Sequence, residues 1–387
     1  MRSLELFVGA GGLGYGASKA GFQPVAVIDK DKWACDTIRE NKKRRLAPFS
    51  KWKVIEEDVT LLGFEQYGPQ IELVTGGPPC QPFSLGGRHR AFLDERDMFP
   101  HAIRAVRELR PRAFVFENVK GLTRTTFANY LEYIRLQLRH PELISKADEP
   151  WLDHLERLED YELRGSHSGL HYRVLMRVLN SADYGVPQKR ERVFIVGFRS
   201  DTEIDWHFPA PTHSADALLW DQWRTGEYWQ RHKVSKKDRP DLDRGASRAA
   251  KLVERPEMAA WGTVRDALMG LPDPERMPAA AAKFHNHRYQ AGARTYPGHT
   301  GSPLDQPAKT LKAGVHGVPG GENMLRRPDG SVRYFTVRES ARLQSFPDEM
   351  VFLGSWTETM RQLGNAVPCD LAAAVLHDVM DALKRTS

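Results

Sequence analysis

Cys80 stands directly after Gly76-Gly77-Pro78-Pro79 and before Gln81-Pro82-Phe83-Ser84. The apolar run Ile71 to Val74 ahead of it reads as a buried strand, which two glycines and two prolines end in a stiff turn. A cysteine presented on such a turn is a candidate nucleophile. The thiolate is the reactive form, and a thiol with an ordinary pKa of about 8.5 needs help to ionise. The competing role is a small buried core residue. Chemistry at that sulfur calls for a cofactor, a base and a proton donor, and polar groups do close other apolar runs. Asp29 ends Pro24-Val25-Ala26-Val27-Ile28, Asp58 closes Glu56-Glu57-Asp58-Val59, and Glu117-Asn118-Val119 follows Ala113-Phe114-Val115-Phe116. Open α/β sheets hold their ligands at the C-terminal ends of strands.

The elements that must position these groups begin at the N-terminus. Leu4 to Val8 reads as a first strand, followed by Gly9-Ala10-Gly11-Gly12-Leu13-Gly14 and a helix to Ala20. Glycines 9, 11 and 14 have the G-x-G-x-x-G spacing between strand and helix, which NAD, FAD and S-adenosylmethionine sites all use. Asp29 sits where a ribose hydroxyl pair is gripped, or caps the helix over 32–42. Asp58 accepts from an adenine amine or is simply solvated. Ser84 to Asp97 reads as a long loop, 98–109 as a helix, and 121–170 as mostly helical and charged. Tyr172 to Asn180 and Val193 to Phe198 read as strands, joined through a turn at Gly185–Arg192.

Hydrophobic residues make up 41% and charged residues 27% of the 387, an ordinary globular balance that allows two domains. No apolar run approaches a membrane span, and Met1 to Glu5 lacks the core of a signal peptide, so a cytoplasmic location is expected. The 3 cysteines are far apart, which argues against a disulfide framework or a metal site. A net charge of +6 points weakly to a polyanionic partner. From Trp206 to Arg327 the chain turns rich in Pro, Gly, His and Trp and carries a basic cluster from Arg231 to Lys251. It reads as a separate unit whose aromatics pack a small second core or stack on bases. Helical patterning returns near Tyr334 and ends in a helix over 371–383. The expected division is 1–205, a catalytic domain; 206–327, a smaller irregular domain; and 328–387, a segment completing the first.

Six blocks follow one another along the chain: Phe7-x-Gly9-x-Gly11-Gly12, Gly76 to Gln81, Glu117-Asn118-Val119, Gln188-Lys189-Arg190-Glu191-Arg192, Arg338-Glu339-x-x-Arg342-Leu343-Gln344-x-Phe346-Pro347, and Gly364-Asn365-Ala366-Val367-Pro368. The set resembles the DNA cytosine-5 methyltransferase family of bacterial or phage restriction-modification type. The resemblance implies a Rossmann-like α/β domain with a mixed, mostly parallel sheet, and a smaller target-recognition domain. It implies methyl transfer from S-adenosylmethionine, leaving S-adenosylhomocysteine, to C5 of a flipped-out cytosine in a specific duplex sequence. Cys80 would add to C6, Glu117 would meet N3, and Arg192 would hold O2 with Arg190 close by. Phe7, Gly9, Gly11, Gly12, Leu13, Asp29, Asp58, Pro78, Asn365, Ala366 and Val367 would line the cofactor site. Ser84, Arg88, Arg90 and Thr310 would touch DNA. Lys30 stands where many members carry a residue that stacks on adenine. Double-stranded DNA is the implied partner of a monomer, with a cognate endonuclease acting separately. A tRNA cytosine-5 methyltransferase would usually carry a Cys-Phe-Thr element in the recognition region, and no cysteine lies between Cys80 and Cys369. A glycine-turn oxidoreductase would leave Cys80, Glu117 and Arg192 without joint purpose, and an inactive DNA-binding protein would not need them.

Overall fold

Strand runs flanked by helices on both faces are mostly apolar, and so are the central runs of this chain apart from a few buried polar residues. In the computed structural model, described for residues 1–68, 70–79, 97–165, 168–240, 242–314 and 321–386, they form one seven-stranded sheet. β1 (Arg2–Leu6), β2 (Gln23–Asp29), β3 (Val54–Glu56), β4 (Leu73–Gly76) and β5 (Ala113–Val119) are parallel. β7 (Glu191–Arg199) runs antiparallel between β5 and β6 (Tyr172–Asn180), giving the order 3-2-1-4-5-7-6. The order reverses between β1 and β4, so the crevice beyond their C-terminal ends is the place for a ligand.

Helices cover both faces. α3 (Phe99–Leu109) and α4 (Ala128–Arg139) bury Phe99, Ile103, Val106, Tyr133 and Ile134 against Leu4, Leu6, Val74, Phe114 and Phe116. On the other face α1 (Gly12–Lys19) and the last helix (Cys369–Arg385) bury Leu13, Ala17, Leu371, Val375 and Val379 against Leu73, Val115, Phe194 and Val196. The chain's two ends thus share one core. α2 (Lys32–Lys43) starts at Asp31, whose carboxylate accepts from Ala34 N at 2.9 Å. Among the described residues no helix is long and apolar enough to cross a membrane.

The region after β7 is built from short helices and two- or three-stranded pieces. Its aromatics Tyr228 and Trp229 are buried with Leu218, so they form a small core rather than a stacking surface. Three expectations shift. Trp206 and Phe208 pack into the core beneath β7, next to Phe198, so the irregular region's own packing begins after them. Among the described residues of the 121–170 stretch, 128–139 and 151–163 are α-helical; the lead-in is 3-10 turns. β7 starts at Glu191, because residue 192 pairs with Val119 on one side and Leu179 on the other, so Arg192 belongs to a strand and not to a turn.

One polar cluster is buried within the returning segment 328–387. Arg333 and Glu339 are almost wholly buried and pair through Nη1 at 2.7 Å and Nη2 at 2.6 Å, while Glu339 also accepts from Thr336 N at 2.9 Å. Removing one partner of a buried pair leaves a bare charge, at a cost of about 3–5 kcal/mol. Glu339→Ala should lower unfolding free energy in urea by that order; a loss below about 1 kcal/mol would show that the pair is not a stabilising tie.

Candidate active site

Beyond the ends of β1, β4 and β5 lies a cavity of about 760 Å³. Its floor is the glycine turn. Phe7 holds φ 55°, a left-handed conformation uncommon for a bulky residue and of the kind that collects at functional sites. Gly9 N donates to Asp29 Oδ2 at 2.8 Å, and Asp31 N donates to Oδ1 at 2.9 Å. Asp29 is therefore locked in place at the β2 end, and burial raises its carboxyl above the ordinary range. A Cβ on Gly12 would lie 2.1 Å from Val367 O. No other residue allows the turn and the C-terminal block to close on each other there.

At the other end, β5 and β7 supply a carboxyl and a guanidinium. Val119 pairs with Arg192 and Glu117 with Phe194, so Glu117 and Arg192 are diagonal neighbours on one face. Glu117 Oε1 lies 2.8 Å from Arg192 Nε. The N–H is misaligned, and Oε1, fully enclosed, has no well-formed hydrogen bond. Burial raises the Glu117 carboxyl above its usual range, against the pull of Arg192 and then Arg190. Asn118 Nδ2 donates to Pro78 O at 2.9 Å, and Met98 N donates to Pro79 O at 3.1 Å, so the turn leading to Cys80 is anchored at its last described residues. Cys80, Ser84, Arg88 and Arg90 lie outside the described residues.

Arg190 borders the cavity but is spent elsewhere. It has no exposed surface; Nη1 donates to Leu311 O at 2.9 Å and Nη2 to Gly364 O at 2.7 Å. It is a clamp between β7, the strand-like segment at 308–311 and the C-terminal block, not a free hand for a base. Thr310 Oγ1 donates to Lys189 O at 2.8 Å. Gly11 faces Trp52, where a Cβ would fall 2.9 Å from that ring, and it is the one expected cofactor residue that does not border the cavity. Phe7, Gly9, Gly12, Leu13, Asp29, Asp58, Pro78, Asn365, Ala366 and Val367 all border it. Asp58 Oδ1 accepts from Thr60 N at 3.0 Å and Oδ2 from Lys30 Nζ at 3.0 Å, and these contacts hold its carboxyl at about 2. One bordering group went unnoticed in the sequence: Glu5, an acid inside the buried β1.

A larger cleft, about 1290 Å³, lies in the irregular region and is lined by Lys237, Arg244, Arg248, Arg276 and Arg326 among others. Its buried acids, Asp305 and Glu339, are paired with Arg265 and Arg333, whereas the smaller cavity brings a glycine turn and strand-end acids together.

Fold and site together define an α/β methyltransferase. The C-5 cytosine-specific DNA methylase model matches residues 1–140 and 165–381, and the chain belongs to that family. It is an enzyme, a DNA (cytosine-5) methyltransferase. The unmatched stretch, 141–164, carries the helix Trp151–Leu163. Among its relatives, the type II methyltransferase M.PspPI of Psychrobacter sp. (strain TA137) is 32% identical over 96% of this chain and 77% of its own. M.NgoMIV of Neisseria gonorrhoeae is 30% identical over 99% of this chain and 98% of its own. The fold is shared with a crystal structure of a prophage-encoded putative DNA modification methyltransferase from E. coli (TM-score 0.58, 21% identity, 99% of both chains). It is also shared with the S. pombe Dnmt2 methyltransferase (TM-score 0.55, 18% identity, 100% and 98%).

The two arginines separate by experiment. Arg190→Met leaves two buried carbonyls bare, at about 1–3 kcal/mol each, whereas Arg192 is paired to one acid at the cavity wall. In urea unfolding Arg190→Met should destabilise by several kcal/mol and Arg192→Met by clearly less; equal losses would erase the distinction.

Proposed function

We propose that the chain methylates C5 of cytosine in a specific duplex DNA sequence as the modification enzyme of a type II restriction-modification pair. The observation that carries this is the meeting of Glu117 and Arg192 in the same cavity as the glycine turn and Asn365–Val367. The residues present fit S-adenosylmethionine: Asp29 suits ribose hydroxyls, Asp58 an adenine amine, and Gly12 and Val367 form a cradle that a side chain would fill. When bound, that cofactor supplies a methyl group on an electrophilic sulfonium and is left as S-adenosylhomocysteine.

A base inside a duplex cannot reach the cavity, so the cytosine is flipped out. The Cys80 thiolate adds to C6, and the electron pair displaced from the C5–C6 bond makes C5 nucleophilic. Glu117, whose carboxyl burial raises above its usual range, donates toward N3 as charge develops there. Arg192 faces O2. After C5 takes the methyl, loss of the C5 proton to a base re-forms the double bond and expels Cys80. The irregular region, with its basic cleft, reads the sequence, phosphate contacts setting position and base edges setting choice.

A duplex carrying 5-fluorocytosine at the target should trap the enzyme covalently through Cys80 in the presence of S-adenosylmethionine, because fluorine cannot leave as a proton does. Absence of an adduct at a site mapped by bisulfite sequencing would reject the mechanism. Glu117→Gln should cut the single-turnover rate by at least about 100-fold while changing S-adenosylhomocysteine affinity little; the opposite pattern would move Glu117 out of the base pocket.

A further inference from the structure

We propose that a pocket between α3, α4 and residues 141–145 binds a small organic acid as its carboxylate, the head on Arg107 and an apolar body against Ile103, Leu143 and Ile144. The pocket has a volume of about 250 Å³ and shares no lining residue with the reaction cavity. Two of its walls are α3 and α4, and the third is Pro141 with Leu143 to Ser145. That third wall lies in 141–164, the stretch that the family model leaves unmatched. The helix Trp151–Leu163 holds it in place. His154 Nε2 donates to Leu143 O at 2.9 Å, His154 Nδ1 meets the Tyr133 hydroxyl at 2.8 Å, and Arg157 Nη2 donates to Ile144 O at 2.8 Å. The pocket is a built hollow, fixed by hydrogen bonds on each side.

His101, Arg104 and Arg107 recur every third residue along α3 and line the pocket together. No Asp or Glu is among its lining residues. The three bases differ in what they have left to give. Arg104 is spent: Nη1 donates to Leu62 O at 2.6 Å and Nη2 to Val59 O at 2.7 Å, the guanidinium lies 4.7 Å from the Phe64 ring centre, and Glu108 is 3.6 Å from Nη1. Arg107 has one long bond, Nη1 to Pro141 O at 3.4 Å, and no ion pair among the described residues. Burial lowers it, with Glu108 pulling the other way and Arg104 adding to the burial. A guanidinium keeps its charge under such a shift. A half-buried cation without a close anion is costly, and an anion completes it. His101 makes no hydrogen bond among the described residues. Burial and Arg104, against Asp58, hold its imidazole below the ordinary range. At neutral pH it is mostly uncharged and offers an N–H, not a second charge. One uncompensated charge calls for a monoanion. A carboxylate meets the guanidinium fork with two parallel bonds. The rest of the lining is mainly apolar, as suits an organic body, and Ile144 is 57% exposed although it lines the pocket.

Ligand-observed NMR titration of the full chain tests this with benzoate, its neutral analogue benzamide, and acetate, which has the head without the body. Benzoate should bind saturably at millimolar concentration, at least about tenfold more tightly than either of the others. Saturating S-adenosylhomocysteine should leave benzoate affinity unchanged, because the two cavities share no lining residue. Arg107→Gln should weaken benzoate by about tenfold or more. Ile144→Glu, at an exposed side chain, should weaken it by about fivefold by setting a like charge beside the ligand, and it decides the matter if Arg107→Gln does not fold. No saturable binding of benzoate by the wild type would overturn the site. Equal binding of benzamide would overturn the carboxylate, and equal binding of acetate the apolar body. Loss of benzoate binding under S-adenosylhomocysteine would put the probe in the reaction cavity and overturn a separate site. Wild-type benzoate affinity in Ile144→Glu would overturn the placement.

Discussion

Arg190 is the tie on which the rest of this molecule depends. One guanidinium with no exposed surface bonds the carbonyls of Leu311 and Gly364, 121 and 174 residues away in sequence. Around it the neutral side chains repeat the pattern. Gln188 accepts from Leu311 N at 2.9 Å and donates to Leu343 O at 3.1 Å, and Gln344 donates to Leu363 O at 2.6 Å. Edge backbone that would otherwise be buried and unpaired is thereby satisfied by side chains. The start of β7, the return from the irregular region and the C-terminal block are fastened at one point. A shift in any of the three is felt by the others through packed, hydrogen-bonded contacts.

That fastening also fixes the electrostatics. Arg190 and Arg192 lie near a single carboxyl, Glu117, in a place where burial opposes every charge. Burial depresses both arginines and raises Glu117. A group that carries negative charge, such as the oxygen of a pyrimidine taking up electrons, would be welcomed by the excess guanidinium. The raised Glu117 carboxyl favours its protonated, donating form in the same space. The single misaligned contact at 2.8 Å between Arg192 Nε and Glu117 Oε1 leaves both groups with hydrogen-bonding capacity for a ligand.

Much of this was legible in the sequence wherever local rules decide. The glycine turn, the acids at strand ends and the antiparallel last strands follow from apolar runs and their punctuation, and Asp29, Glu117 and Arg192 all border the cavity as a resemblance to the family implied. What could not be read is the direction of side chains whose partners are remote. Arg190 and Arg192 are two residues apart and share a face of the chain, yet one meets carbonyls from the far end and the other meets β5. The Thr310 hydroxyl is taken up by Lys189 O, and Gly11 faces Trp52 because that ring folds beneath the turn. The boundary at Trp206 failed for the same kind of reason: composition changes there, but Trp206 packs beside Phe198 and Phe208 in the core of the sheet domain. Lys30 borders the cavity, and its ammonium meets Asp58.

The same cavity holds two buried carboxyls in opposite settings. Glu117 is flanked by guanidiniums and sits among strands β5 and β7; Glu5 is flanked by an acid, a thiol and the N–H of Gly14 at the opening of α1. Burial raises both, but among the described residues only Glu117 has guanidiniums acting on it to offset that burial. One cavity thus offers two different electrostatic settings, with the glycine turn as the floor between them.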